Sequence, residues 1–116
     1  MKNSIYLILL LFVSSCKLNE EKIIANNSPD NHVKIELIGK KQMKGDPWKC
    51  ELKVKAYDFQ EGALIFEIYA DDLNDKNVKF DWEDEEHCKI SITQSDTEVR
   101  HFQLIANKNQ VQLAEV

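Results

Sequence analysis

Residues 48–56 read Trp-Lys-Cys-Glu-Leu-Lys-Val-Lys-Ala, with an apolar side chain at every even position and a charged one at every odd position. Successive side chains of an extended chain point to opposite faces, so this alternation describes a strand with one dry face and one wet face. The same period runs outward in both directions. Before it, Val33, Ile35 and Leu37 alternate with Lys34 and Glu36, and Lys44-Gly45-Asp46-Pro47 supplies a turn. After it, Gln60-Glu61-Gly62 reads as a turn, and Leu64, Phe66, Ile68 and Ala70 form the next inward row. Ala63, Ile65 and Tyr69 make that strand apolar on its second face too, which predicts a central or covered position.

Shorter runs follow. Val78, Phe80 and Trp82 alternate briefly; Cys88, Ile90 and Ile92 oppose Lys89, Ser91 and Thr93. Phe102, Leu104 and Ala106 come after a Ser95-Asp96 turn, and Val111 with Leu113 after Asn107-Lys108-Asn109. Nothing from residue 32 onward holds a helical period over three turns. The pattern predicts an all-β fold: a small antiparallel β-sandwich of about six or seven strands over residues 32–116.

The N-terminus has a different grammar. Lys2 precedes an apolar run from Ile5 to Val13, and Ser14-Ser15-Cys16 follows. One cation, a short apolar stretch and small residues describe an export signal over residues 1–15. The run is roughly half the ~20 apolar residues that a membrane-spanning helix needs. Val13-Ser14-Ser15-Cys16 resembles the lipobox of bacterial lipoproteins. That resemblance implies cleavage before Cys16 and acylation of its thiol, and often of its amino group. Two or more chains anchor a protein stably where one holds it only marginally. Lys17, rather than an aspartate, follows the cysteine, which by resemblance to Gram-negative sorting signals favours the outer membrane. Residues 16–31 are polar without sustained period and read as the lipidated N-terminus followed by a flexible tether.

Two further cysteines, Cys50 and Cys88, are in phase with apolar neighbours. In an exported chain an inward-facing pair is expected to be bridged. The closed loop would stabilise the fold by roughly 4 kcal/mol in the chain-entropy treatment. Such a bridge near a Trp loosely resembles the immunoglobulin-like sandwich in architecture, although these cysteines are closer in sequence than in that family and Glu86 stands where its tyrosine would. Bridging requires the chain to leave Ala70 and return to the same pole by Cys88. Residues 71–87 are therefore expected to cross between sheets around one end, with Phe80 and Trp82 plugging the core there. A thiolate metal site is disfavoured: there is no Cys-x-x-Cys, and His87 and Cys88 point to opposite faces of a strand.

The formal net charge is −5, and loss of Lys2 with the signal makes it one unit more negative. Nucleic acid needs a basic face, so it is excluded as a partner. The crossing segment would gather Asp71, Asp72, Asp75, Asp81, Glu83, Asp84, Glu85 and Glu86 at one end, with Asp46 close by. Those carboxylates fit solvated loops that protect strand ends, or a surface that steers a basic protein partner. Asp71-Asp72-Leu73-Asn74-Asp75-Lys76-Asn77 has ligand types suited to Ca²⁺ but lacks the glycine and terminal glutamate of an EF-hand loop. No other cofactor is expected.

Enzyme signatures are missing. With three glycines in the chain there is no phosphate-cradling loop, and neither a Gly-x-Ser-x-Gly elbow nor His-Glu-x-x-His occurs. His32, His87 and His101 lie singly on strands or turns, and Ser91 and Ser95 have no identifiable partner. The expectation is a non-catalytic envelope lipoprotein whose β-domain binds or assembles with something at the membrane surface. Inhibition of a basic secreted enzyme such as a lysozyme, and a Ca²⁺-stabilised adhesion module, are the alternatives.

Overall fold

The computed structural model describes residues 17–57 and 60–116. The export signal and the Cys16 lipidation site lie outside the described residues. The chain forms eight strands: β1 (Lys17–Asn27), β2 (Val33–Met43), β3 (Trp48–Ala56), β4 (Gln60–Ile68), β5 (Val78–Trp82), β6 (His87–Thr93), β7 (Val99–Ala106) and β8 (Val111–Glu115). They make two four-stranded antiparallel sheets, β1-β2-β3-β4 and β5-β6-β7-β8, each a plain meander. The all-β sandwich expected from the alternation is what the structure has. The dry row of β3 (Trp48, Cys50, Leu52, Val54, Ala56) lies in the core with Val33, Ile35 and Leu37 of β2. Facing them are Cys88, Ile90 and Ile92 of β6 and Phe102, Leu104 and Ala106 of β7. Each Val, Leu, Ile or Phe among them contributes about 1.5–3 kcal/mol when fully buried.

Because both sheets are meanders, one segment, residues 69–77, carries the chain from β4 to β5 and closes one end of the sandwich. Leu73, 1% exposed, is the plug. A Cβ on Gly39 of β2 would overlap Leu73 Cδ1 and lie 3.3 Å from Trp48 Cε3, so the bare glycine makes the notch into which Leu73 fits. Trp48 Nε1 donates to Ala70 O at 2.9 Å and fixes the start of the crossing. Phe80 and Trp82, expected as the plug, instead lie on regular strand β5, half-buried and paired with Ile90 and Cys88. The crossing needs only one large apolar side chain, and the alternation of 78–82 is satisfied in the sheet.

The two long sides are closed differently. Beside β4 and β8, a Cβ on Gly62 would come 2.7 Å from Val111 Cγ1, so this glycine permits close approach of the strands. That is its role: the expected turn at 60–62 is instead the first part of β4, paired with Ala56, Lys55 and Val54. Arg100 seals the same side. It donates to both carboxylate oxygens of Glu115 at 2.7 Å and to Glu67 O, with its guanidinium over Phe66 and Phe102. Beside β1 and β5, Trp82 Nε1 donates to Asn26 Oδ1 at 2.7 Å, and Lys22 Nζ stands 3.7 Å from Asp72.

Three further expectations are corrected. The segment read as a tether is strand β1, in register with β2 from Glu20↔Lys41 to Asn27↔Lys34. Its inward row is Lys22, Ile24 and Asn26; two of the three are polar, Asn26 bonded to Trp82 of the opposite sheet and Lys22 paired with Asp72 of the link, so no hydropathy period announces the strand. Next, β4 is a sheet edge rather than a central strand, and Ile65 and Tyr69 are exposed. Finally, Cys50 and Cys88 are free, buried thiols. Strict up-and-down order sets Cys50 near the crossover end, in the field of Arg100, and Cys88 at the other end, near Asp81 and Glu83. A disulfide requires Cα atoms within roughly 7 Å, and strands running between opposite ends do not bring these two together.

Two predictions follow from the packing. Leu73→Ala should cost about 2–5 kcal/mol through the cavity it leaves, and Gly39→Ala about 1–3 kcal/mol through overpacking. Because both act on one notch, the double variant should lose less than the two single losses combined, as read by urea denaturation; strict additivity would count against the notch. The thiols of Cys50 and Cys88 should react with an aromatic disulfide reagent only after denaturation, as read by mapping the labelled peptides. The protein's melting temperature should not move on adding reductant. A reductant-induced fall in that temperature would show that the thiols are joined.

Candidate functional site

The eight acidic residues anticipated as one cluster are divided. Asp71, Asp72 and Asp75 lie in the crossing at one end, as does Asp46 in the β2–β3 turn. Asp81 is on the outer face of β5, opposite Lys89. Glu83, Asp84, Glu85 and Glu86 form the tight β5–β6 turn at the other end. A single excursion over residues 71–87 would keep them together, but β5 intervenes and carries its second half to the opposite end.

Asp72, Asn74 and Asn77 of the crossing are engaged in its own loop. Asp72 accepts from Leu73 N (2.8 Å) and Asn74 Nδ2 (3.1 Å), and these bonds hold its carboxyl below the usual range. Asn77 Nδ2 donates to Asp72 O, and Asn74 Oδ1 accepts from Lys76 N. Such local bonds are how Asx side chains fix turns. Among the described residues no group of three or more His, Cys, Asp or Glu is arranged to hold a metal ion.

The opposite end is built otherwise. The β1–β2 turn is wired by Ser28, buried beneath it: its Oγ donates to Asp30 Oδ1 at 2.7 Å and accepts from Val33 N at 3.0 Å. The Ser28 bond is the main reason that the Asp30 carboxyl is held low. Tyr57, in the left-handed region at φ 52°, closes β3 and donates its backbone N–H to His32 O. Its ring stacks on His32 with centroids 4.9 Å apart and planes 16° from parallel. The Tyr57 phenol is raised by desolvation first and then by the charges of Asp30, Glu86 and Glu85, which belong to the turns at this same end. Ala106 N donates to Glu86 O and ties the acidic turn to the end of β7. Lys89 neutralises Glu83 at 3.2 Å, and His87 Nδ1 bonds Asp84 at 2.9 Å. Among the described residues Asp30, Glu85 and Glu86 have no ion-pair partner. The arrangement concentrates negative charge on one end of the sandwich, which suits a partner with a basic surface.

Three shallow grooves lie on the described surface, one of them, of about 460 Å³, between Lys40, Asp46, Lys49, Glu67 and Tyr69. Another, of about 690 Å³, runs over β2, β3 and β4 between Lys34, Glu36, Lys53, Lys55 and Glu61. Its charges offset one another, Lys34 standing 3.1 Å from Glu36. The third, of about 370 Å³, contains Ser91 and His101 beside Asp81 and Lys89. Ser91 Oγ and His101 Nδ1 are 3.4 Å apart, a partner for Ser91 that the sequence did not disclose. Nucleophile activation needs the histidine oriented by a further group, and among the described residues none bonds its other nitrogen.

The sequence reading missed Asp30, His32 and Tyr57 as neighbours of the acidic turn. The signal was available once 17–27 is taken as a strand: the Ser28-Pro29-Asp30-Asn31-His32 turn then falls at the same end as Tyr57 and Glu83–Glu86. No protein-family model matches the chain, and comparisons with characterised proteins and with solved structures give no match either.

The His87–Asp84 pair gives a pH prediction. The bond to Asp84 raises the His87 pKa above its ordinary 6.5, with the charges of Asp84, Glu86 and Glu83 adding to it. Its contribution to stability is therefore fully present below pH 6.5 and is lost as pH rises through the folded-state value. Titration of the imidazole resonances should show His87 deprotonating later than an unstructured histidine, and Asp84→Asn should return it towards 6.5. An unshifted His87 in the parent protein would contradict the pairing.

Proposed function

We propose that the chain is a non-catalytic lipoprotein of the bacterial cell envelope, anchored through Cys16 with the outer membrane favoured, whose β-sandwich engages a partner with a basic surface. The observation that carries this reading is the acidic end of the sandwich, where Asp30, Glu85 and Glu86, without ion-pair partners among the described residues, lie in the turns at the end that carries the His32–Tyr57 stack. Three negative charges on tightly tied turns form a rigid target, so little ordering is required when a lysine- or arginine-rich surface docks. The net charge of −5 steers the same class of partner from a distance. Inhibition of a basic secreted enzyme such as a lysozyme is one case of this chemistry. The lipid anchor rests on the resemblance of Val13-Ser14-Ser15-Cys16 to a lipobox.

Zero-length carbodiimide coupling in envelope extract joins carboxylates to the lysines they touch. Wild-type protein should give adducts whose cross-links map to Asp30 and residues 83–86. The Asp30→Asn/Glu85→Gln/Glu86→Gln variant should lose them. For lysozyme as a purified probe, the association rate should fall about tenfold or more between about 0.01 M and 0.15 M salt, as the Debye length shrinks from roughly 30 to 8 Å. Adducts that map to Asp71–Asp75 and survive the triple substitution would sink this reading.

A further inference from the structure

The anchor and the domain are separated by no tether. Strand β1 begins at Lys17, the residue after Cys16, and Lys17 pairs with Met43 at the end of β2. A lipid chain on Cys16 would therefore enter the bilayer beside the β2–β3 turn, at the crossover end of the sandwich. Met43, 47% exposed, and Tyr69, 59% exposed, give that end apolar and amphipathic groups suited to the headgroup zone, and the shallow recess at Tyr69 carries two cations, Lys40 and Lys49, beside two anions, Asp46 and Glu67. Asp71, Asp72 and Asp75 share the end, so contact falls to Met43, Lys44 and Tyr69. Amphipathic rings and long cationic side chains settle where apolar and wet phases meet. The Asp30, Glu85 and Glu86 carboxylates are at the far end of strands such as β2, whose 11 residues span about 35 Å at 3.3 Å per residue.

We propose that the crossover end, led by Met43, Lys44 and Tyr69, is a foot that rests in the lipid headgroup layer, so that the sandwich stands on the bilayer with its His32–Tyr57 end held outward. The proposal rests on the lipid-anchor reading of Cys16 and adds an orientation to it. Direct pairing of β1 with β2 sets that orientation, because a domain continuous with its anchor has few ways to tumble. Chain continuity and apolar exposure agree on the same end.

The test uses full-length protein isolated from bacterial membranes, checked by intact mass for the acyl group on Cys16. It is then placed in nanodiscs of phosphatidylethanolamine and phosphatidylglycerol containing a gadolinium-chelating lipid. Backbone amide signals of residues 43–46 should be broadened severalfold more than those of residues 30–32 and 84–86. Met43→Asp/Tyr69→Asp should weaken that gradient while leaving the anchor mass unchanged. An acylated protein broadened equally at both ends, or more at 84–86, would overturn the orientation and leave the anchor standing. A mass without an acyl group would remove both.

Discussion

The sandwich depends on how one end is shut. Two meanders share a single covalent link, residues 69–77, and nothing in the hairpins themselves obliges one sheet to lie on the other. The link achieves it by placing Leu73 over Gly39 against Trp48, the largest wholly buried side chain of the first sheet. The fit is steric, so it has a definite depth: a methyl group on residue 39 would occupy the space that Leu73 needs. Trp48 adds direction, since its indole N–H must find an acceptor when the ring is buried and Ala70 O is the one supplied.

Two cations repeat this logic on either side of the plug. The inward rows of β2 and β7 both end, at the crossover, in a basic residue instead of an apolar one. Lys41 lies 8% exposed with its ammonium over Trp48 and 3.5 Å from Ala70 O. Arg100 lies over Phe66 and Phe102 and donates to Glu67 O. Each brings a long stem that extends the dry core and a charged head that satisfies a carbonyl at the end of β4 or just beyond it. The end strand of the first sheet is thus held by hydrogen bonds from the inside of its own core, which frees its outer face to carry exposed Ile65 and Tyr69.

These devices explain what the sequence disclosed. Where inward positions are apolar the strands were legible, Trp48–Ala56 to the residue, while β2 runs on past Leu37 to Met43 and β7 begins before Phe102 at Val99, where basic residues such as Lys41 and Arg100 take the inward places. Where an inward position is polar and bonded to the opposite sheet or to the link, the period vanished: Lys22 and Asn26 hid β1. Gly62 was read as a turn because a glycine in a strand is usually a break, while here it marks the approach of Val111. The acidic turn was legible as charge but not as a site, because Asp30, His32 and Tyr57 join it only through the packing of β1.

The free thiols are the sharpest conflict between sequence and structure, and their surroundings reconcile them. In an exported chain a cysteine pair in phase with the core suggests a bridge, since oxidation is open to any thiolate that forms. Reactivity, however, follows the thiolate and not the thiol. Burial pushes both Cys50 and Cys88 up to about 12, chiefly because a charge on sulfur would lose its hydration. At neutral pH such groups are small apolar fillers of the two inward rows, 1% and 2% exposed, and no oxidant reaches them without unfolding. Stability that a bridge would have drawn from a constrained unfolded chain must come instead from contacts of the folded one. The Leu73 notch, the Arg100 fork and the Trp82–Asn26 bond each tie one sheet to the other or to the link between them. A fold held in this way remains closed whether or not its compartment is oxidising.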